Sequence, residues 1–117
     1  MQYLLLIYDV EKQFAQLPAD ELGMLMADYN KFTADIKTTG HLVGANRLQP
    51  VSNATTVRVR EGKTQITDGP FAETREQLGG YYLIEAKNLD EATAIAARIP
   101  SAKYGSIEVR PIYVLGQ

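Results

Sequence analysis

The 117-residue chain contains no cysteine and no tryptophan, and His41 is its only histidine. Without cysteine it can form neither a disulfide framework nor a thiolate metal site, and it has no cysteine nucleophile. One histidine with no cysteine nearby makes a poor metal site, so we expect no metal and no other cofactor. His41 directly follows the predicted end of a helix. We therefore assign it to stabilising that helix end rather than to catalysis or haem ligation.

Long apolar runs and an excess of positive charge are also absent. Twelve Lys and Arg against 14 Asp and Glu give a net charge of −2, which argues against direct nucleic-acid binding. No apolar run reaches the 18 residues of a membrane span, and the apolar N-terminus lacks the flanks of a signal peptide. With 45% hydrophobic and 22% charged residues, the sequence predicts one cytoplasmic globular domain over 1–117, with no membrane partner.

Apolar periodicity predicts six strands and two helices. A stripe at steps of three and four residues marks a helix over 18–39, and Asn88 with Glu91 resembles the capping box of a second helix that Pro100 stops. We expect the second helix to bury Leu89, Ala92, Ala96 and Ile99. The predicted strands cover 2–8, 41–48, 55–60, 64–67, 81–86 and 107–115. The order β-α-β-β-(β)-α-β is that of an α+β, ferredoxin-like fold with a mostly antiparallel sheet and both helices on one face.

The predicted central strands are apolar on both faces. Leu4 and Leu6 alternate with Leu5 and Ile7 along the first strand. Helices cover only one face of such a sheet, and the second face would be an unusually large exposed apolar patch. We therefore predict a two-fold symmetric homodimer packed through its sheet faces.

The most unusual segment is the loop over 68–78, which begins Asp68-Gly69-Pro70-Phe71. Asp68 can accept hydrogen bonds from its own turn, Gly69 can take backbone angles closed to other residues, and Pro70 fixes the exit direction. The Gly69–Pro70 bond can be cis or trans. We expect Phe71 to anchor the loop on the core.

This loop carries a resemblance that extends along nearly the whole chain. The segments that share it are Tyr3–Tyr8, Ala54–Arg58, Asp68–Thr74, Gln77–Tyr82, Leu89–Ala92, Arg98–Pro100 and Val109–Pro111. Together they resemble the DGPF subgroup of the YCII-related proteins.

The resemblance implies a dimeric α/β barrel, in which two ferredoxin-like subunits pack through their sheets. That superfamily includes muconolactone isomerases, small monooxygenases and haem-handling enzymes, and a few YCII-related proteins act on chlorinated muconates. The proposed family site pairs the loop aspartate with a histidine of the first helix. Asp68 matches the aspartate, but 18–39 contains no histidine. Some DGPF-type sequences occur beside or fused to RNA polymerase sigma factors, which implies a regulatory setting.

Each candidate site residue has a functional and a structural interpretation. Asp68 can act as a general acid or base, or it can simply cap its turn. Arg58 and Arg60 share a strand face and can hold a substrate carboxylate, or they can form a solvated face. The remaining substrate-binding candidates are aromatic residues that can equally belong to the core: Tyr8, Tyr29, Phe71 and Tyr82.

Two functions follow from these residues. The first is a cofactor-independent lyase or isomerase that holds a small carboxylate or ring-derived molecule between the sheet and the first helix, with Asp68 moving a proton. The second is a non-catalytic ligand-binding or regulatory module that acts on sigma-factor-dependent transcription through protein contacts. An enzyme predicts an enclosed pocket with Asp68 directed into it.

Overall fold

A computed structural model describes residues 1–116 of the chain. Its strands are β1 (Gln2–Asp9), β2 (Leu42–Arg47), β3 (Thr55–Arg60), β4 (Lys63–Asp68), β5 (Gln77–Glu85) and β6 (Ser106–Pro111). Its α-helices are α1 (Glu11–Ala15), α2 (Ala19–Thr38) and α3 (Leu89–Ala96), and short 3-10 helices cover Val51–Asn53 and Pro100–Lys103.

Four strands form one antiparallel sheet in the order β2-β5-β1-β6. This is the strand order of a ferredoxin-like α+β fold and confirms the predicted fold class. The strands β3 and β4 pair with each other in a separate two-stranded sheet, which is inserted in the chain between β2 and β5. We call this insertion the hairpin.

The core lies between the sheet and the helices. Strand β1 alternates, so Tyr3, Leu5 and Ile7 are buried while Leu4 and Leu6 are only partly buried. The buried set continues into β5, α2 and α3 as one cluster, of which Ile36 and Ile84 are fully enclosed. We call the opposite side of the four-stranded sheet the open face. It carries Leu4, Leu6 and Leu83, as their alternation predicts.

Two predicted helix ends are confirmed, the C-terminus of α2 and the N-terminus of α3. Helix α2 ends with the two hydrogen bonds of a Schellman motif, from Gly40 N–H to Lys37 C=O (3.1 Å) and from His41 N–H to Ile36 C=O (2.9 Å). Gly40 takes φ +81°, which a residue with a Cβ rarely adopts. At α3 the Asn88 side chain accepts from the Glu91 N–H at 2.9 Å, as the capping box requires.

His41 joins the two long helices. Its Nδ1 lies 2.7 Å from Thr39 Oγ1 and its Nε2 lies 3.2 Å from Glu91 Oε1. The Glu91 carboxylate also accepts the Lys87 N–H, and this hydrogen bond lowers the pKa of Glu91 below its ordinary value, with His41 contributing. The histidine therefore serves the helix end, as predicted.

Several details differ from the sequence prediction. Helix α1 is absent from the predicted elements, because five residues are too short to show a helical period. In α3 Leu89 is exposed and Ile95 is buried in its place. The helix ends before Pro100, which instead begins a 3-10 helix. Strand β5 starts four residues earlier than predicted, and β6 ends at Pro111 on the outer edge of the sheet.

Candidate functional site

A cleft of about 720 Å³ opens at the end of the core, between the sheet and the helices α1 and α2. Most of its wall is apolar and includes Phe14, Leu22 and Met26. Leu22 and Met26 lie four residues apart on the predicted apolar stripe of α2. They line the cleft and are only partly buried. A concave apolar wall with a few polar groups is typical of a small-molecule site.

Asp9 brings a carboxylate into this cleft. It is the last residue of β1 and continues the series Tyr3, Leu5 and Ile7, so alternation turns its side chain towards the helices. Burial is the main cause that raises the pKa of Asp9 above its ordinary value, and the nearby carboxylates of Glu11 and Glu76 add to it. The Arg47 guanidinium partly offsets the rise. A carboxyl with a raised pKa exchanges its proton at a pH closer to neutral than an exposed aspartate does.

Two tyrosine hydroxyls are held in fixed positions beside Asp9. The Tyr29 hydroxyl donates to Ser101 Oγ at 2.6 Å, and the Tyr82 hydroxyl lies 2.7 Å from Thr33 Oγ1. Burial raises the pKa of both tyrosines, and the charge of Asp9 raises that of Tyr29 further. Both hydroxyls therefore stay protonated at neutral pH. The Tyr29 proton is donated to Ser101, whereas the Tyr82 hydroxyl can accept from Thr33 Oγ1 and keep its own proton for a ligand.

Arg47 supplies a positive charge to the same cleft. Its guanidinium carbon lies 5.1 Å from the centre of the Phe14 ring, a cation–π arrangement. Two hydrogen bonds hold the short helix that carries Phe14, and both involve its first residue, Glu11. Its Glu11 N–H donates to Gln77 Oε1 at 3.1 Å, and Glu11 Oε1 accepts the Val51 N–H at 2.9 Å. This wall presents a cation that suits a carboxylate ligand.

Close backbone contacts shape the base of the cleft. A Cβ on Gly80 would lie 2.8 Å from Asn46 O, and a Cβ on Gly105 would lie 2.0 Å from Tyr8 O. A Cβ on Gly79 would make only an ordinary contact, 3.7 Å from Asp9 Oδ1. Gly79 and Gly80 close the distinctive segment of the sequence, and Gly80 lets β5 approach the β2 backbone at Asn46 and Arg47.

The seven predicted site residues lie in three different places. Tyr29 and Tyr82 line the cleft. Tyr8 is partly buried, and alternation along β1 puts it on the open face. The other four lie on the hairpin or the loop that follows it, outside the cleft: Arg58, Arg60, Asp68 and Phe71. The expectation that Phe71 anchors its loop on the core is wrong, since its side chain is 78% exposed.

The turn after β4 is held mainly by its backbone. Gly69 takes φ +103° and its N–H donates to Ala54 C=O at 2.7 Å, while Thr56 Oγ1 donates to the Gly69 carbonyl at 2.8 Å. Arg58 Nη2 donates to the Phe71 carbonyl at 3.2 Å. All peptide bonds within residues 1–116 are trans, so the Gly69–Pro70 bond is trans. Asp68 is exposed, and its catalytic role stays a prediction.

Sequence reasoning missed the groups that give the cleft its charge. The predicted first strand ends just before Asp9, and Arg47 lies in the predicted strand over 41–48 without a role in the site. The position of each residue along its strand nevertheless indicates that its side chain faces the helices. Asp9 continues the inward-facing series of β1, and Arg47 is two residues beyond Ala45, which packs on the core. Arg47 pairs with Gly80 across the sheet.

Comparison with known proteins agrees with this architecture. A family model for the YCII-related domain matches residues 1–115. The chain belongs to the YCII-related family. This YCII-related protein is also 39% identical over 114 residues to an uncharacterised protein of Rhizobium meliloti (strain 1021), across 96% of this chain and 92% of that protein. No helix within residues 1–116 is long and apolar enough to cross a membrane.

Proposed function

We propose that this YCII-related protein binds a small, largely apolar carboxylate in the cleft and moves a proton on it, as a cofactor-independent isomerase or lyase does. One observation carries the proposal. Asp9, whose pKa is raised by burial, shares the cleft with the cationic Arg47. A proton-transferring group and an anion-binding group in one apolar cleft are the two requirements of such a reaction.

The groups divide the chemistry between them. Arg47 pairs with the substrate carboxylate, while Leu22 and Met26 enclose its apolar body. Ionised Asp9 takes a proton from a carbon next to a carbonyl, and the electron pair moves onto the carbonyl oxygen. The Tyr82 hydroxyl, which can accept from Thr33 Oγ1, donates a hydrogen bond to that oxygen, and Asp9 returns the proton to a different carbon. A positioned acid–base group contributes about 10²–10⁴ in rate.

The proposal places proton transfer at Asp9 rather than at Asp68, to which the sequence assigned it. Both are aspartates at the end of a strand, but only Asp9 lines the cleft. Asp68 is exposed at the base of the hairpin. The pair therefore forms a matched comparison for the test.

The experiment incubates the protein in D₂O with a panel of small enolisable carboxylates. Proton NMR follows deuterium incorporation, and calorimetry measures binding. We expect Asp9→Asn to slow exchange by about 100-fold or more while the ligand still binds. We expect Arg47→Met to weaken binding by about 10- to 100-fold, the range of one charged hydrogen-bonding group. Asp68→Asn and Arg58→Met are the controls on the hairpin.

The outcomes separate the two functions that the sequence left open. Binding without exchange in the unmodified protein supports the non-catalytic ligand-binding module. Exchange that is lost in Asp68→Asn and kept in Asp9→Asn moves the site to the hairpin and contradicts the proposal. Absence of binding by every carboxylate in the panel also contradicts it.

A further inference from the structure

The distinctive segment of the sequence reaches the cleft wall through Gln77, the first residue of β5. This side chain is partly buried, and both ends of its amide are hydrogen-bonded. Its Oε1 accepts the Glu11 N–H at 3.1 Å, and its Nε2 donates to the Thr74 carbonyl at 2.6 Å. One side chain therefore links the first residue of α1 to the loop that follows the hairpin.

A bulge in β5 brings Gln77 to this position. The register of β1 with β5 shifts by one residue after Ile7, which leaves Gly79 as the extra residue on β5. Beyond the bulge Asp9 pairs with Gln77, whereas an unbroken register would pair it with Leu78. Residues directly opposite each other in an antiparallel pair share one face of the sheet. The bulge therefore puts the Gln77 side chain on the same face as Asp9, towards the helices.

Helix α1 depends on ties of this kind. It has five residues, none of them buried, and its N-cap Val10 makes no side-chain hydrogen bond. A helix this short is unstable by itself, and the N–H groups of its first turn find no acceptor within the helix. Gln77 supplies such an acceptor from a neighbouring strand, as an N-cap side chain normally does. The Glu11 carboxylate adds a second tie by accepting the Val51 N–H.

The position of α1 in turn restricts the cation of the cleft. Arg47 is exposed on the edge strand β2, and a free arginine side chain gives up many rotamers when it binds an anion. Its guanidinium lies against the Phe14 ring, which α1 carries. This contact limits the freedom of Arg47 before a ligand arrives, and a preorganised group binds more tightly because less freedom is lost.

We propose that Gln77 is a positioning residue of the cleft: it fastens α1, and through Phe14 on that helix it holds Arg47 where it can pair with a ligand carboxylate. This role rests on the proposed function, because that function assigns carboxylate binding to Arg47. Gln77 acts through Arg47 and takes no part in proton transfer. The last part of the distinctive segment thus serves the cleft, while the turn at Asp68 lies outside it.

The first measurement follows α1 with no ligand present. Because the chain has no cysteine, Gln13→Cys offers a single attachment point for a nitroxide label on an exposed position of α1. Gln77→Met keeps the length of the side chain and removes both hydrogen bonds, so we expect a narrower electron paramagnetic resonance spectrum from a more mobile α1. Gln77→Glu keeps the acceptor for the Glu11 N–H and should retain the original spectrum. Gln65→Met, on the exposed strand β4, is the matched control and should also retain it.

The second measurement uses calorimetry with the panel of small enolisable carboxylates, and it compares variants through the member that the unmodified chain binds most tightly. We expect Gln77→Met to weaken binding by about 10-fold, while the deuterium-exchange rate at saturating carboxylate stays within about threefold. In the Arg47→Met background, Gln77→Met should weaken binding no further, because its effect passes through Arg47. Gln65→Met should bind as the unmodified chain does. Circular dichroism checks that each variant is folded, and Gln77→Leu replaces Gln77→Met if the latter is not.

Three results overturn the proposal. The first is an unchanged α1 spectrum in Gln77→Met, and the second is unchanged affinity in spite of a mobile α1. The third is a loss of affinity as large in the Arg47→Met background as in the unmodified one, because Gln77 would then act by another route. Failure of the proposed function shows instead in the unmodified chain, as absence of binding by every carboxylate. In that case the spectrum of Gln77→Met alone decides whether Gln77 fastens α1.

Discussion

The hairpin and the cleft of this YCII-related protein are built in opposite ways. The hairpin is made by residues close together in sequence, around one tight turn, and most of its side chains are exposed. The cleft collects groups from β1, α1, α2, β2 and β5, and contacts between residues far apart in sequence hold them in place. The distinctive sequence motif begins at the end of the hairpin, while the partly buried titratable groups lie in the cleft.

This difference shows that a conspicuous motif and a cluster of partly buried titratable groups need not coincide. The Asp68–Phe71 turn needs Gly69 for its positive φ, and its ordering comes mainly from backbone hydrogen bonds. Asp9 stands at the end of an ordinary apolar strand, but it meets Arg47 and two tyrosines in a partly buried setting. Burial and neighbouring charge, rather than a sequence motif, shift the pKa of a carboxyl from its ordinary value, and at Asp9 they raise it.

The largest expected effect concerns the backbone packing at the cleft. Gly105→Ala places a Cβ 2.0 Å from the Tyr8 carbonyl and 3.0 Å from the Asp9 Cα, so the strand that carries Asp9 must shift. We expect a loss of about 3 kcal/mol or more in the free energy of unfolding, measured with urea.

The control for this substitution is Gly23→Ala. Gly23 lies within α2 and has no atom within 4 Å of its added Cβ. That change is expected to stabilise the protein by about 0.5–1 kcal/mol. Equal effects at the two glycines would show that backbone packing does not support this end of the cleft. Because dimerisation would make stability depend on concentration, all variants are compared at one protein concentration.

A smaller effect is expected at the cleft hydroxyls. Ser101 is only 2% exposed and accepts the Tyr29 hydroxyl at 2.6 Å. Tyr29→Phe leaves that buried oxygen without this donor and should cost about 1–2 kcal/mol in urea unfolding. Tyr81→Phe is the control, because the Tyr81 hydroxyl accepts from Asn46 Nδ2 in an exposed contact, and we expect less than about 0.5 kcal/mol there.

The double variant Tyr29→Phe/Ser101→Ala sharpens the measurement. Removing both partners leaves no unsatisfied oxygen, so its cost should be smaller than the sum of the two single costs. Strict additivity would contradict a specific hydrogen bond between Tyr29 and Ser101. It would also weaken the view that the cleft hydroxyls are fixed in place.

Sequence patterns predicted the fold better than the site for a physical reason. Alternation along β1, the stripe of α2 and the cap at Asn88 are local signals, and they placed the strands and long helices to within a few residues. The cleft depends on which distant residues meet. Helix α1 is too short to show a period, and nothing in its sequence indicates that Phe14 packs beneath Arg47.

Motif reasoning and burial single out different acidic residues. The turn residues around Asp68 are unusual, whereas burial at the end of β1 raises the pKa of Asp9. Reading β1 as an inward series of Tyr3, Leu5 and Ile7 leads directly to Asp9 at the next inward position. That inference needs only the alternation that had already placed the strand.

The smallest expected effect compares the two aspartates through pH. The pKa of Asp9 is raised in the folded chain, so between its unfolded and folded pKa the folded state binds more protons. This contribution to stability is present below the unfolded pKa and is lost as pH rises through the folded pKa. Asp9→Asn should therefore remove the pH dependence that Asp9 gives to the unfolding free energy and stabilise the protein modestly at pH 7, because solvent screens a partly exposed carboxyl.

Asp68→Asn is the matched change on the hairpin, and urea unfolding from about pH 3.5 to 8 compares the two variants. Because Asp68 is an exposed surface residue, its variant should differ in unfolding free energy from the unmodified protein by less than about 0.5 kcal/mol. A stabilising Asp9→Asn that also abolishes deuterium exchange would mean that the fold keeps a destabilising carboxylate for its chemistry. If Asp9→Asn instead lost stability at pH 7, the ionised carboxylate would be a structural group, and the cleft would lose its proposed acid–base residue.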